Sequence, residues 1–178
     1  MNYHKITKND TANGDGVRVT LWVSGCDHHC DGCHNPQTWN PKSGKEFDCD
    51  AFSELFDALE RPWISGLTLS GGDPLHPDNV GTIASLIAHV KRAFPNKTIW
   101  CYTGYTLEEL WTNCNHELSI SYILNNIDVL VDGKYQKELR DVSYPWAGSS
   151  NQRVWMQKNG CWGIISYNKE KNNAESNT

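Results

Sequence analysis

At 178 residues the chain has the length of one ordinary domain, long enough to bury a core and too short for two full-sized units. Acidic residues outnumber basic ones by 21 to 16, for a formal net charge of −5, and no Lys/Arg run occurs, so the electrostatic footprint of a nucleic-acid binder is absent. No apolar run approaches the ~18 residues that cross a bilayer, and the opening residues lack the apolar stretch of a secretion signal, so a cytoplasmic protein with no membrane role is expected.

The first strong pattern along the chain is a strand. Val17, Val19, Leu21 and Val23 alternate with Arg18, Thr20 and Trp22, the period of a strand with one buried face, ending near Ser24. From Asp50 the apolar positions Phe52, Leu55, Phe56 and Leu59 recur at helical spacing, with Asp48 or Asp50 as the cap. Residues 64–70 read as a second strand. Ile83, Leu86, Ile87, Val90 and Phe94 mark a second helix that stops before Pro95.

A third strand is expected over residues 98–102. Thr106 with Glu109 forms a capping box that opens a short helix, and after a further helical stretch residues 127–131 supply a fourth strand. Residues 154–157 and 163–167 flank Asn159-Gly160, a pair suited to a tight hairpin turn that closes an edge. The polar residues 168–178 have too little apolar surface to order, so the folded domain is expected over residues 1–167 with a disordered tail behind it.

Strands alternating with helices imply an α/β fold with mainly parallel pairing, as an open sheet or as part of a barrel. In either form ligands bind at the C-terminal ends of the strands. The unusual residues gather there: residues 26–33 after the first strand, 71–74 after the second, 102–105 after the third and 132–135 after the fourth. One shared active face follows from topology alone.

The first of these loops reads CDHHCDGC, which sets Cys26, Cys30 and Cys33 at offsets of four and three. Gly25, Gly32 and Pro36 disfavour a helix here, and a loop wraps thiolates around a compact cluster at modest closure entropy. A 4Fe-4S cube usually takes four cysteines, so three leave one iron open to an outside ligand and point to catalysis. Coordination chemistry also permits structural zinc on the three cysteines with His28, His29, His34 or His76.

Seven cysteines at uneven spacing make a poor disulfide framework. Cys49, Cys101, Cys114 and Cys161 stand in no second ligand-spaced group and read as small buried or half-buried side chains. The Gly71-Gly72-Asp73-Pro74 stretch is either an ordinary turn or, on the cluster face, a place where main-chain groups approach a ligand closely. His28 and His29 either tune a cluster by hydrogen bonding or face solvent, and solvent is the expectation. Trp39 and Trp146 either line a groove for a partner or pack at an aromatic edge, and Lys134 either touches a carboxylate or sits in a solvated turn.

The CxxxCxxC loop directly after a strand resembles the cluster loop of the radical S-adenosylmethionine enzymes, and GGDP is similar to their cofactor-binding GGE/GGD motif. More closely, residues 1–154 resemble the anaerobic ribonucleoside-triphosphate reductase activating proteins. The motifs agree in order: residues 13–18 (NGDGVR), 23–26 (VSGC), 32–39 (GCHNPQTW), 70–75 (SGGDPL), 100–105, 131–135 and 148–152 (GSSNQ).

That resemblance implies a partial (βα) barrel of the radical S-adenosylmethionine type, closed by the C-terminal hairpin. It implies one 4Fe-4S cluster on Cys26, Cys30 and Cys33, with S-adenosylmethionine on its open iron, lying against Gly32, Cys33, His34, Gly72 and Asp73. Reductive cleavage of S-adenosylmethionine would give a 5'-deoxyadenosyl radical that takes a hydrogen from one glycine of the large reductase subunit, leaving a glycyl radical.

Cluster potentials span roughly −700 to +450 mV and a sulfonium needs the low end, so an external low-potential reductant such as flavodoxin is implied. The resemblance also implies that the substrate is a protein loop, so the site is expected to open to one side. Two other readings stay in view: the same radical chemistry on a small molecule or another glycyl radical enzyme, and a non-enzymatic zinc or electron-transfer module.

Overall fold

The computed structural model describes residues 1–114 and 117–165. Twelve elements follow in chain order: β1 (Asn2–Asp10), β2 (Val17–Val23), β3 (Lys45–Glu46), α1 (Cys49–Glu60), β4 (Ile64–Gly71), α2 (Pro77–Ala93), β5 (Thr98–Tyr102), α3 (Leu107–Cys114), α4 (Leu118–Asn126), β6 (Val129–Asp132), β7 (Arg153–Lys158) and β8 (Cys161–Ile164). The strands form one mixed sheet in the order β3-β1-β2-β4-β5-β6-β7-β8. Its centre, β2-β4-β5-β6, is parallel, and both flanks are antiparallel. The molecule is thus an α/β fold on a mixed, mostly parallel sheet.

Alternation along the strands sorts residues into two layers. Val19, Leu21, Val23, Leu67, Leu69, Ile99, Cys101 and Leu130 point into the main core with Leu55, Leu59, Ile83, Ile87, Val90 and Ile123 of the helices. Trp100, Val129, Val131 and Val154 form a smaller apolar cluster against Tyr144 and Trp146. Arg18 is fully buried, and its guanidinium donates to the Thr68 hydroxyl at 2.7 Å and to the carbonyls of Leu67 and Thr98 at 2.8 and 2.9 Å. Burial draws its pKa down to about 10. The donors of this buried cation are met chiefly by main-chain and hydroxyl oxygens.

The helix signals act as expected. Asp48 caps α1 by accepting the Ala51 N–H at 2.9 Å. Glu109 accepts the Thr106 N–H at 2.7 Å while Thr106 accepts the Glu109 N–H at 3.3 Å, the reciprocal box at the head of α3. Asn159 and Gly160 take φ of 52° and 79°, the left-handed pair of a primed hairpin turn between β7 and β8. The second hairpin strand is Cys161–Ile164, earlier in the chain than residues 163–167, whose last two lie outside the described residues. Residues 168–178, expected as a disordered tail, lie outside them too.

Two strands had no expectation. β1 pairs antiparallel with β2 on one side and with the short β3 on the other. Only Tyr3 and Asp10 of β1 are buried, so its apolar signal is faint. Among the described residues no helix is long and apolar enough to cross a membrane.

Candidate functional site

The four loops expected on one face do meet. A cavity of about 200 Å³ at the C-terminal ends of β2, β4, β5 and β6 is lined by Cys26, Cys30 and Cys33, by Gly71, Gly72 and Asp73, by Thr103 and Gly104, and by Gly133 and Tyr135. Residues 26–33 run as a loop without helix, as Gly25 and Gly32 at φ 97° and 70° require. The loop is pinned at its start, where the N–H groups of Gly25 and Cys26 donate to the carbonyls of Thr38 and Trp39 at 2.7 and 3.0 Å.

Main-chain N–H groups point at all three sulfurs. His28 donates to Cys26, Tyr135 to Cys30, and Asn35 to Cys33 at 3.4 Å. Such bonds favour the thiolate, yet burial outweighs them: the Cys26 thiol is pushed up to about 11 and Cys30 also rises. A cationic group that replaced the protons would relieve that penalty.

The Gly-Gly-Asp loop comes close by necessity. A Cβ on Gly72 would stand 2.5 Å from the Gly25 carbonyl oxygen, and one on Gly71 would stand 2.7 Å from the Val23 main chain. Gly72 donates to the Val23 carbonyl at 2.8 Å and Asp73 to the Gly25 carbonyl at 2.7 Å, which laces this loop to the root of the thiol loop.

Asp73 is 1% exposed. Its carboxylate accepts from the Thr103 hydroxyl at 2.9 Å, the Gly104 N–H at 3.0 Å and the Leu75 N–H at 2.8 Å, and meets His28 Nε2 at 2.7 Å. The side chain therefore binds three loops together, and it is the main chain of this stretch that remains to meet a ligand.

His28 departs from its expected place in solvent. Its side chain is only 7% exposed, held by Asp73 and edge-on to Tyr105 at 4.6 Å. The non-local partner, distant in sequence, explains the difference. His29 is exposed as expected, edge-on to Trp39. His34 sits beside Tyr135 at 5.6 Å.

His76 is committed elsewhere: its Nδ1 accepts the Asp78 N–H at the head of α2, and its Nε2 meets Asp27 at 3.3 Å. Among the described residues no three His, Cys, Asp or Glu side chains stand close enough for a single metal ion. Thiols spread around one cavity suit a larger body, and no fourth cysteine joins that lining among the described residues. The donor set fits a cube held by three cysteines.

The remaining cysteines divide. Cys101 is buried as expected, whereas Cys49 and Cys161 are exposed, because Cys49 opens α1 and Cys161 lies on the edge strand. Cys114 falls outside the described side chains. Trp39 lines the cavity with its indole N–H buried and without a protein partner, while Trp146 packs edge-on against Trp100 at 4.8 Å. Lys134 is exposed.

Gly148 and Gln152 also line the cavity. Gln152 ties that stretch together, accepting from Gly148 N–H at 2.9 Å and donating to the Gly133 carbonyl at 3.0 Å. Sequence reasoning gave these two no role, and the sole signal was the GSSNQ motif.

The model of the 4Fe-4S single cluster domain family matches residues 12–155. The anaerobic ribonucleoside-triphosphate reductase-activating protein of Enterobacteria phage T4 is 44% identical over 162 residues, covering 91% of this chain and 98% of that one. The protein of the same name from Escherichia coli K12 is 44% identical over 156 residues, 86% of this chain and 97% of that one. That from Haemophilus influenzae is 45% identical over the same shares.

Proposed function

Because the chain belongs to the anaerobic ribonucleoside-triphosphate reductase-activating proteins, we propose that it forms the glycyl radical of that reductase, with Cys26, Cys30 and Cys33 as the cluster ligands. The protein is an enzyme of the radical S-adenosylmethionine type with one 4Fe-4S cluster. Held on these three thiolates, a 4Fe-4S cluster would supply the electron for reductive cleavage of S-adenosylmethionine, the source of the radical chemistry that takes a hydrogen from a glycine of the reductase.

The observation that carries the reading is the convergence of three thiols and the Gly71-Gly72-Asp73 loop on one cavity. Each part has a task. The N–H groups of His28, Asn35 and Tyr135 stabilise sulfur charge and so tune the cluster. Gly72, having no side chain, would let main-chain groups reach the amino group of S-adenosylmethionine, with Asp73 holding that loop, and Gly32, Cys33 and His34 would lie against the cofactor.

The parallel order β2-β4-β5-β6 with helices between supports a partial barrel of the radical S-adenosylmethionine type, open on the side where a protein loop enters. A low-potential carrier of the flavodoxin kind supplies the electron, in the cytoplasm. The working domain spans residues 1–167.

The test is electron paramagnetic resonance on the anaerobically reconstituted protein mixed with the reductase, S-adenosylmethionine and a strong reductant. A glycyl doublet on the reductase is expected. Cleavage of S-adenosylmethionine without any such signal would reject the reductase as substrate.

A further inference from the structure

His28 lies between two of the cysteines, yet its side chain turns away from solvent to reach the buried Asp73 carboxylate at 2.7 Å. Asp73 belongs to the Gly-Gly-Asp loop after β4, and the same carboxylate accepts from Thr103 and Gly104 after β5. One imidazole thus joins the thiol loop to both neighbouring loops. Other bonds between the thiol segment and the Gly-Gly-Asp loop are at the segment's root: Asp73 N–H to the Gly25 carbonyl and, through Asn79, the Ser24 carbonyl at 2.7 Å. Beyond the root the other ties of the thiol segment are the Tyr135 N–H to Cys30 and the exposed carboxylates of Asp27, 3.3 Å from His76, and Asp31, 3.6 Å from Lys137, so among the described residues it is His28 that bonds the segment to a buried group of the Gly-Gly-Asp loop.

We propose that His28 is a positioning residue: its hydrogen bond to Asp73 sets the thiol loop at a fixed distance from the Gly71–Asp73 main chain, so that the two halves of the cofactor site stay in register. The proposal rests on the reading that the thiols carry the cluster and the glycine loop receives S-adenosylmethionine. A hydrogen bond to a buried carboxylate is among the stronger kinds, and its loss leaves that charge short of a donor. The packing of the ring against Tyr105 at 4.6 Å fixes its orientation as well as its reach.

Two amide substitutions separate this role from mere bulk. The nitrogen of Gln extends to about the position of imidazole Nε2, whereas that of Asn reaches only the position of Nδ1, so His28→Gln keeps the bond to Asp73 and His28→Asn breaks it. Both are polar and small enough to be accommodated. The first measurement is hydrogen exchange on the cluster-free chain: amides of residues 26–34 should exchange faster in His28→Asn and at the parental rate in His28→Gln.

The second is equilibrium binding of S-adenosylmethionine to the cluster-loaded protein, together with its perturbation of the reduced cluster's paramagnetic spectrum. His28→Asn should load the same iron but bind about tenfold or more weakly, with the perturbation reduced, and His28→Gln should restore both.

Parental exchange and binding in His28→Asn would overturn the proposal. So would equal failure of both variants, or loss of iron in both, since His28 would then serve the thiols and not their register. If the unsubstituted chain loads iron and binds no S-adenosylmethionine, the proposed function fails, while the exchange measurement still decides whether His28 holds the loop.

Discussion

Arg153, in the first strand of the C-terminal hairpin, donates to the carboxylate of Asp132 from Nη2 at 2.5 Å and from Nε at 3.0 Å. Asp132 ends β6, is fully buried, and also accepts the Leu107 N–H at the start of α3. The guanidinium continues outward to Glu108 at 2.6 Å. The hairpin is thereby fastened to the rim of the parallel sheet next to the cavity.

Arg153→Met should lower unfolding free energy by about 2–4 kcal/mol, because it strands a buried carboxylate with one remaining donor. Glu108→Gln, at the exposed end of the same network, should cost under about 1 kcal/mol. Urea unfolding followed by circular dichroism measures both, and equal small losses would mean that the hairpin is held by packing alone.

Cys26→Ala, Cys30→Ala and Cys33→Ala should each abolish S-adenosylmethionine cleavage, with iron content well below the parental level. Cys49→Ala should retain full iron and cleavage, since Cys49 is exposed at the head of α1 and takes no part in the cavity lining. Parallel iron and cleavage assays decide the matter. Loss of both with Cys49→Ala would show the ligand set to be different.

Gly72→Ala should weaken S-adenosylmethionine binding while iron loading persists. Its Cβ would stand 2.5 Å from the Gly25 carbonyl, a contact relieved only by moving the two loops apart. Binding isotherms on the loaded protein read the effect. Unchanged affinity would remove Gly72 from the cofactor site.

Acid stability should depend on Asp10. Burial raises its pKa, but four hydrogen bonds, from the N–H groups of Ala12 and Asn13, the Asn13 amide and the Thr20 hydroxyl, outweigh it and hold the group below the usual aspartate range. The folded value being the lower one, this contribution is complete above the ordinary aspartate pKa of about 3.9 and is lost as pH falls through the folded value. The parental chain should therefore lose more stability than Asp10→Asn on acidification. Identical slopes of stability against pH would contradict this.

Much of the core and site was legible because the signals are local. The alternation of residues 17–23, the helical spacing after Asp50 and the Thr106–Glu109 box each specify a segment from its own residues, and topology then places the four loops together. What escaped notice depends on partners far along the chain. β1 carries few buried side chains and gains its place by pairing with β2, so its pattern has little period to read. The burial of His28 is decided by Asp73, and the role of Gln152 by Gly133, neither of which spacing reveals. Residue type led to an expectation of buried or half-buried side chains for Cys49 and Cys161, and position on a helix start and an edge strand overrode that preference.

The central pairing of β2 with β4 brings Val23 opposite Gly71 through a long crossover that contains the thiol loop, β3 and α1. Contacts of such sequence separation are made slowly, since the loop-closure entropy falls due before the strand bonds return it. Until that closure the three sulfurs have no common wall to face. The thiols are neighbours in sequence and need no such closure to meet one another, but the Gly71–Asp73 loop comes opposite them only once β4 has paired, so the cavity that both line is complete only in the folded sheet.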